Sequence, residues 1–275
     1  GWMLRLGNID YSNCYPIHGP ILDGIRPDWI EVVDGTPSEL NRLLANGELD
    51  IAPGSSIELA RHAREYAALR GLCIGSAGPV ESIILATRLP LGDLDGRAVA
   101  LPTASATSRC LLRILLETRL GVTPAWEDFD QGKTDPLRSG DSGVDAALFI
   151  GDVALRRRPE PGEAHVDLGA AWTEWTGLPF VYALWLVAGR AIERSDTEAL
   201  HRLFLAHRDA VPAAAPDLAA VAGARYGFAS ARLRSYWNRI RYDLDDQMLA
   251  GLRRFLDLAA EIGEAPPVAS IRLIP

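Results

Sequence analysis

The feature that most constrains this chain is an alternation of short apolar runs with helix-like stripes, which occurs twice and then stops. The runs Leu4–Ile9, Trp29–Val33, Asp50–Pro53 and Val80–Thr87 read as strands. Thr36-Pro37-Ser38-Glu39 is a helix start: a hydroxyl cap, proline at the first helical position, and glutamate three residues after the cap. Leu40, Leu43 and Leu44 form that helix's apolar stripe, and Gly47 stops it. This rhythm predicts an α/β fold with a mostly parallel sheet and helices on both faces. A second unit begins near Leu89. It holds a strand at Ala98–Leu101, a helix from Thr103–Ser108 to about Leu120, a polar loop over 130–143 and strands at Asp145–Ile150 and Phe180–Val187. Beyond Arg190 only helices are predicted, near 196–210, 213–224, 229–240 and 245–262, the first with a capping box of Ser195 and Glu198.

Two α/β units in one chain predict two lobes. Residues 1–87 and 186–275 are assigned to the first and 88–185 to the second, with Ile83–Thr87 and Tyr182–Val187 as hinge strands. A ligand cleft is expected between the lobes.

Composition removes whole classes of function. With 28 Lys+Arg against 36 Asp+Glu the net charge is −8, which argues against nucleic acid as a partner. No apolar run approaches the roughly 18 residues of a membrane span, and the basic, then apolar, pattern of a signal peptide is missing. A cytoplasmic protein that does not engage membranes is expected, with Met3 a candidate natural start after Gly1 and Trp2. Cys14, Cys73 and Cys110 are odd in number and far apart, and the five histidines show no metal-ligand spacing. Neither a disulfide framework nor a metal site is expected.

What remains is a set of hydroxyl-rich strand ends. Thr103-Ala104-Ser105-Ala106-Thr107-Ser108 lies between a strand and a helix, and a helix N-terminus attracts anions through its unpaired N–H groups. Plain N-capping needs only one hydroxyl. No glycine occurs in the segment, so a phosphate-cradling P-loop is not indicated. Ser12-Asn13, Ser55-Ser56, Gly78-Pro79-Val80-Glu81-Ser82 and Gly151-Asp152 also end or precede strands, where α/β proteins place ligands. Their common chemistry is neutral donation, suited to a small carboxylate-bearing ligand. Trp172, Trp175, Phe180, Tyr182 and Trp185 are read mainly as core, and Arg156-Arg157-Arg158 as a solvated helix end.

Five segments together carry a resemblance: Asp10-Tyr11-Ser12-Asn13-Cys14-Tyr15-Pro16-Ile17, Gly35-Thr36-Pro37-Ser38-Glu39-Leu40-Asn41, Ser105-Ala106-Thr107-Ser108, Ile150-Gly151-Asp152 and Trp175-Thr176-Gly177-Leu178-Pro179-Phe180. In this order the chain, from Leu4 to about Trp185, resembles the chorismate dehydratases of the futalosine route to menaquinone. Ser12 and Cys14 depart from that family's usual leucine and threonine. The resemblance implies a type II periplasmic-binding-protein-like fold. It also implies a lyase reaction, chorismate losing water to give 3-[(1-carboxyvinyl)oxy]benzoate, with no cofactor because aromatisation drives it. Asn13 and Asp152 are the candidate catalytic residues. Ser56, Ser82, Ser105, Thr107, Ser108, Gly151 and Thr176 are the candidate substrate-binding residues. The base is either Asp152 or the substrate's own enolpyruvyl carboxylate. Two alternatives share the fold: the 1,4-dihydroxy-6-naphthoate synthase of the same pathway, and a non-catalytic solute-binding protein.

Overall fold

The structure, a computed structural model, describes residues 3–139 and 143–275. Gly1 and Trp2, and the Gly140-Asp141-Ser142 part of the polar loop, lie outside the described residues. The chain begins β1 (Leu4–Ile9), α1 (Tyr15–Leu22), β2 (Ile30–Gly35), α2 (Pro37–Ala45), β3 (Ile51–Ser55), α3 (Ile57–Arg61), β4 (Tyr66–Leu69) and β5 (Ile74–Ser76). It crosses to β6 (Ile83–Thr87), β7 (Ala98–Pro102), α4 (Ala106–Arg113, continued as a π-helix over Ile114–Arg119), β8 (Ala125–Phe129), β9 (Ala146–Ile150), α5 (Gly151–Arg156), β10 (Ala164–Asp167) and α6 (Leu168–Thr176). It returns through β11 (Phe180–Ala188) and ends with α7 (Ser195–Tyr226), α8 (Ser230–Arg239), α9 (Asp246–Glu261) and β12 (Leu273–Ile274).

Two sheets result. The first has the order β12-β4-β11-β3-β1-β2 with β5 also on β11; the second has the order β10-β6-β9-β7-β8. Both are mixed rather than mostly parallel. β11 runs antiparallel to β3, β4 and β5 because it enters from the second lobe at the same end of the sheet where β5 leaves it, Phe180 facing Ser76. The expected hinge strands are not crossings. β6 pairs with β9 over its full length, from Ile83↔Ile150 to Thr87↔Ala146, and so belongs to the second sheet. β11 belongs wholly to the first. The chain crosses instead through the short segments 77–82 and 177–179.

Period-two alternation explains how the second sheet is buried on both faces. Leu85, Val99, Leu101, Leu148 and Ile150 join the main core, while Ile84, Ala86, Ala100, Ala147 and Phe149 form a separate cluster on the other face. The first sheet encloses a polar chain. Trp185 Nε1 donates to His18 Nε2 at 2.9 Å, which leaves the Nδ1 proton for Asn8 Oδ1 at 2.8 Å, and Asn8 Nδ2 donates to Asp34 at 2.8 Å. Burial pushes the His18 pKa down to about 3, with His207 adding repulsion, so the ring is neutral.

Local signals hold in part. Thr36 closes its capping box: Glu39 N–H donates to Thr36 Oγ1 and Thr36 N–H to Glu39 Oε2. Ser195, expected as a cap, is the first helical residue, and Arg194 takes the cap position with its guanidinium on Asp196. The two helices expected near 196–210 and 213–224 are one, with Pro212 and Pro216 inside it. An interior proline costs about 3 kcal/mol, a cost that the packing of α7 against α1 and α8 offsets. Arg157 is not a solvated helix end. It is 8% exposed, paired with Asp135 at 2.8 Å and Glu163 at 2.9 Å, and stacked over the Phe149 ring.

Candidate active site

Between the two sheets lies a cavity of about 60 Å³, to which the first lobe contributes Tyr11, Asn13, Ser55 and Tyr182. The crossing segment contributes Val80 and Ser82, and the second lobe Ser105, Ser108, Ile150 and Gly151. Aliphatic walls come from Ile9, Ile74 and Ile83. Five expected site residues therefore share it: Asn13, Ser82, Ser105, Ser108 and Gly151.

Each is presented by its local structure. Asn13 sits in the turn after β1, and its side-chain Oδ1 is buried with no hydrogen-bond partner. A buried amide oxygen without a partner is costly and is a natural seat for a ligand donor. Ser105 is the N-cap of α4: its Oγ accepts the Ser108 N–H at 3.3 Å and donates to Ser108 Oγ at 3.1 Å, leaving the Ser108 proton to donate onward. Ser82 Oγ accepts from the Tyr236 hydroxyl at 2.7 Å, which likewise leaves its own proton. Gly151 has φ +63°, and its N–H donates to Ser82 O at 2.8 Å. A Cβ there would meet the Tyr11 ring at 3.1 Å, so this bend requires glycine.

The other expected residues lie elsewhere. Thr107 is fully buried and ties the lobes together: its N–H donates to Ser55 Oγ at 2.8 Å, its Oγ1 accepts the Ile57 N–H at 2.9 Å, and the Ser55 hydroxyl also donates to it. Two N–H groups of the α4 start are thus already satisfied by Ser55 and Ser105, and the hydroxyls, more than the helix terminus, remain for a ligand. Ser56 is fully buried and donates to Val181 O at 2.8 Å; its neighbour Ser55 is the one at the cavity. Thr176 closes the end of α6, donating to Trp172 O at 2.8 Å. Asp152 is buried beside the cavity lining, its carboxylate accepting the Ser12 hydroxyl at 2.6 Å and the Ser12 N–H at 3.1 Å. Burial raises the Asp152 pKa, against the Ser12 hydrogen bonds that lower it.

Three supporting residues come from the helical C-terminal region, where the sequence carried no chemical signal. Besides Tyr236 on Ser82, Trp237 Nε1 donates to Ser12 O at 2.9 Å and the Tyr242 hydroxyl to Asn13 O at 2.7 Å. Among the aromatic residues of 172–185, Trp172, Phe180 and Trp185 are core, whereas Tyr182 reaches the cavity with its hydroxyl 2.9 Å from Ser76 Oγ. Burial raises both lining tyrosines, Tyr11 and Tyr182. The lining, among the described residues, holds no Asp, Glu, His, Cys, Lys or Arg. Among the described residues no group of His, Cys, Asp and Glu could hold a metal ion, and no helix is long and apolar enough to cross a membrane.

The chain is 32% identical to a chorismate dehydratase of Thermus thermophilus, with 92% of this chain and 93% of the relative covered. It is 30% identical to one of Campylobacter jejuni over 64% of each. In fold it is similar to a protein of Archaeoglobus fulgidus (TM-score 0.74, 20% identity, 95% and 98% covered). It is also similar to the periplasmic aliphatic sulphonate binding protein of Escherichia coli (TM-score 0.66, 16% identity, 97% and 89% covered). The fold is the two-lobed, periplasmic-binding-protein-like one. A sequence profile of the menaquinone biosynthesis family matches residues 4–261. The chain belongs to the chorismate dehydratase family of menaquinone biosynthesis.

Proposed function

We propose that this chain is a hydro-lyase that converts chorismate to 3-[(1-carboxyvinyl)oxy]benzoate and water. The observation that carries the mechanism is the lining itself: hydroxyls from both lobes and the crossing segment, one unpartnered amide oxygen, and no group that titrates near neutrality. Such a site orients and stabilises charge; it does not supply a base.

The reaction asks for little more. The ring C–H beside the enol ether is conjugated through a double bond to the ring carboxylate, so its deprotonation spreads negative charge onto that carboxylate. Loss of the neighbouring hydroxyl then completes the aromatic ring, and the proton and hydroxyl leave together as water. Ser108, whose oxygen accepts the Ser105 hydroxyl, is suited to donate its own proton to the carboxylate as charge builds on it. Asn13 and Ser82 are suited to hold the leaving hydroxyl or the enolpyruvyl group.

Two bases were open from sequence. Asp152 does not line the cavity, and two donors of Ser12 occupy its carboxylate. Both facts favour the substrate's enolpyruvyl carboxylate as proton acceptor, with Asp152 holding the Ser12-Asn13 turn against the second lobe.

The cavity volume equals about two water molecules, far below the several hundred Å³ of a typical ligand site. The arrangement is closed, and a ten-carbon dianion enters only if the lobes part, breaking Ser12–Asp152 and Ser55–Thr107 on the way. The biosynthetic role supports action in the cytoplasm on a small-molecule substrate.

Incubating the protein with chorismate, without added metal or nucleotide, tests the proposal. The cyclic diene absorbance should disappear as a benzoate-type product forms. Saturable binding with no turnover would assign a solute-binding protein instead. Turnover of a cyclic futalosine derivative but not of chorismate would assign the sister enzyme.

A further inference from the structure

Helix α8 presents Arg232, Tyr236 and Arg239, spaced four and three residues apart and therefore on one face, to two consecutive residues of the crossing segment. The Tyr236 hydroxyl donates to Ser82 Oγ at 2.7 Å, and both groups are buried. Arg232 Nη1 and Arg239 Nε each lie 3.2 Å from Glu81 Oε2. Glu81 is the one non-glycine among the described residues with a positive φ, +69°. A left-handed conformation at a side-chain-bearing residue persists only where its surroundings fix it. Here the fixing comes from both ends: the two arginines of α8 attract the carboxylate as ion pairs, and the Glu81 N–H donates to Asp167 Oδ2 at 2.7 Å.

We propose that Tyr236 is a positioning residue for dehydration, acting through Ser82, with Arg232 and Arg239 holding the backbone that carries it. The proposal rests on Ser82 donating to the substrate. Ser82 Oγ has one proton and two lone pairs. By donating to one lone pair, Tyr236 directs the single serine proton away from itself, toward the cavity that Ser82 lines. A hydroxyl that accepts a hydrogen bond is also polarised into a stronger donor. Burial keeps the Tyr236 phenol protonated, as this role requires. Without the phenol, the serine proton has no fixed direction.

The test is a double-mutant cycle on chorismate turnover with Ser82→Ala, Tyr236→Phe and the pair. Ser82→Ala should lower kcat on the order of a hundredfold, as loss of one site donor does. Tyr236→Phe should lower kcat roughly tenfold with KM changed less than about twofold. It should have no further effect once Ser82 is alanine. Wild-type kcat in Tyr236→Phe, or a loss that recurs undiminished beside Ser82→Ala, overturns the proposal. Wild-type kcat in Ser82→Ala overturns instead the role given to Ser82, and the two failures are distinct. Should Tyr236→Phe not fold, Arg232→Gln with Arg239→Gln reads the same effect: kcat falls in the native background and is unchanged beside Ser82→Ala. An effect of equal size in both backgrounds contradicts it.

Discussion

The two lobes hold their share of the cavity by opposite means. The second lobe relies on short-range structure: Ser105 caps α4 and binds Ser108 three residues on, and Gly151 turns directly out of β9. Nearby Gln131 adds to this by pinning Ile150 through both its N–H and its carbonyl. The first lobe relies on distant chain. The Ser12-Asn13 turn is held by Trp237 and Tyr242, more than two hundred residues away, and by Asp152 from the facing lobe. One lobe's site is thus built by local backbone chemistry, and the other's by packing of the C-terminal helices onto the first sheet.

The largest effect that would sharpen this contrast is Asn13→Asp. The substitution is nearly isosteric, so Tyr242 should still hold the backbone, but it sets a carboxylate against a dianionic substrate. Like charges about 4 Å apart cost about 4 kcal/mol at an effective dielectric near 20, on the order of a thousandfold in rate. Steady-state kinetics should show that loss with little change in Tm; an unchanged rate would remove Asn13 from the site.

Next in size is Tyr242→Phe, which probes the first lobe's remote support. It strips the donor from the half-buried Asn13 carbonyl, a cost of about 1 kcal/mol or more. Turnover should fall roughly tenfold and Tm by several degrees. A fall in Tm with kcat intact would mean that the C-terminal support is structural only.

Gly151→Ala probes the second lobe, where the constraint is the backbone itself. A left-handed alanine costs about 1–2 kcal/mol, and its Cβ presses on Tyr11. Tm should fall by a few degrees and kcat/KM with it, since the added methyl resists closure of the lobes. If Gly151→Ala were as stable and active as the native chain, that bend would not be a fixed part of the site.

Legibility followed the same division. The Thr36 box, the Ser105–Ser108 helix start and the Gly151 bend were readable because each is a motif of a few residues with a mechanism of its own. Ser56 was expected at the cavity where Ser55 stands, since which serine faces it depends on where β3 ends and α3 begins. Thr107 looked like a ligand donor because nothing in the sequence shows that Ser55 and Ile57 reach it across the lobes. Tyr236, Trp237 and Tyr242 carry no local signal, and only the packed structure brings them to residues near the N-terminus. The β6 error has a similar source: an apolar strand reads alike in either sheet.

A further effect, read in stability and not in turnover, separates the lobes by pH. Neutral His18 lies in the first lobe, between Trp185 and Asn8. Its pKa is near 6.5 when unfolded and about 3 when folded, so the unfolded chain binds the extra proton in that window. Its contribution to stability is complete above about 6.5 and is lost as pH falls toward 3, a few kcal/mol in all. His165 and His207, also lowered, act with the same sign, and the raised Asp152 and Asp167 with the opposite one. Denaturant titrations from pH 7 to 4 should show a steep acid limb that flattens in His18→Gln. An identical limb in that variant would remove His18 as its cause.

The central claim is that the cavity orients chorismate while the substrate supplies its own base, and an amidated substrate tests it most directly. Chorismate with its enolpyruvyl carboxylate converted to the amide should bind more weakly and fail to dehydrate even at saturation. Asp152→Asn, measured alongside, should keep kcat within roughly tenfold of the native value, well short of the 10²–10⁴-fold expected when a general base is removed. Dehydration of the saturating amide at a near-native rate, together with a loss of that size in Asp152→Asn, would contradict the claim and make Asp152 the base.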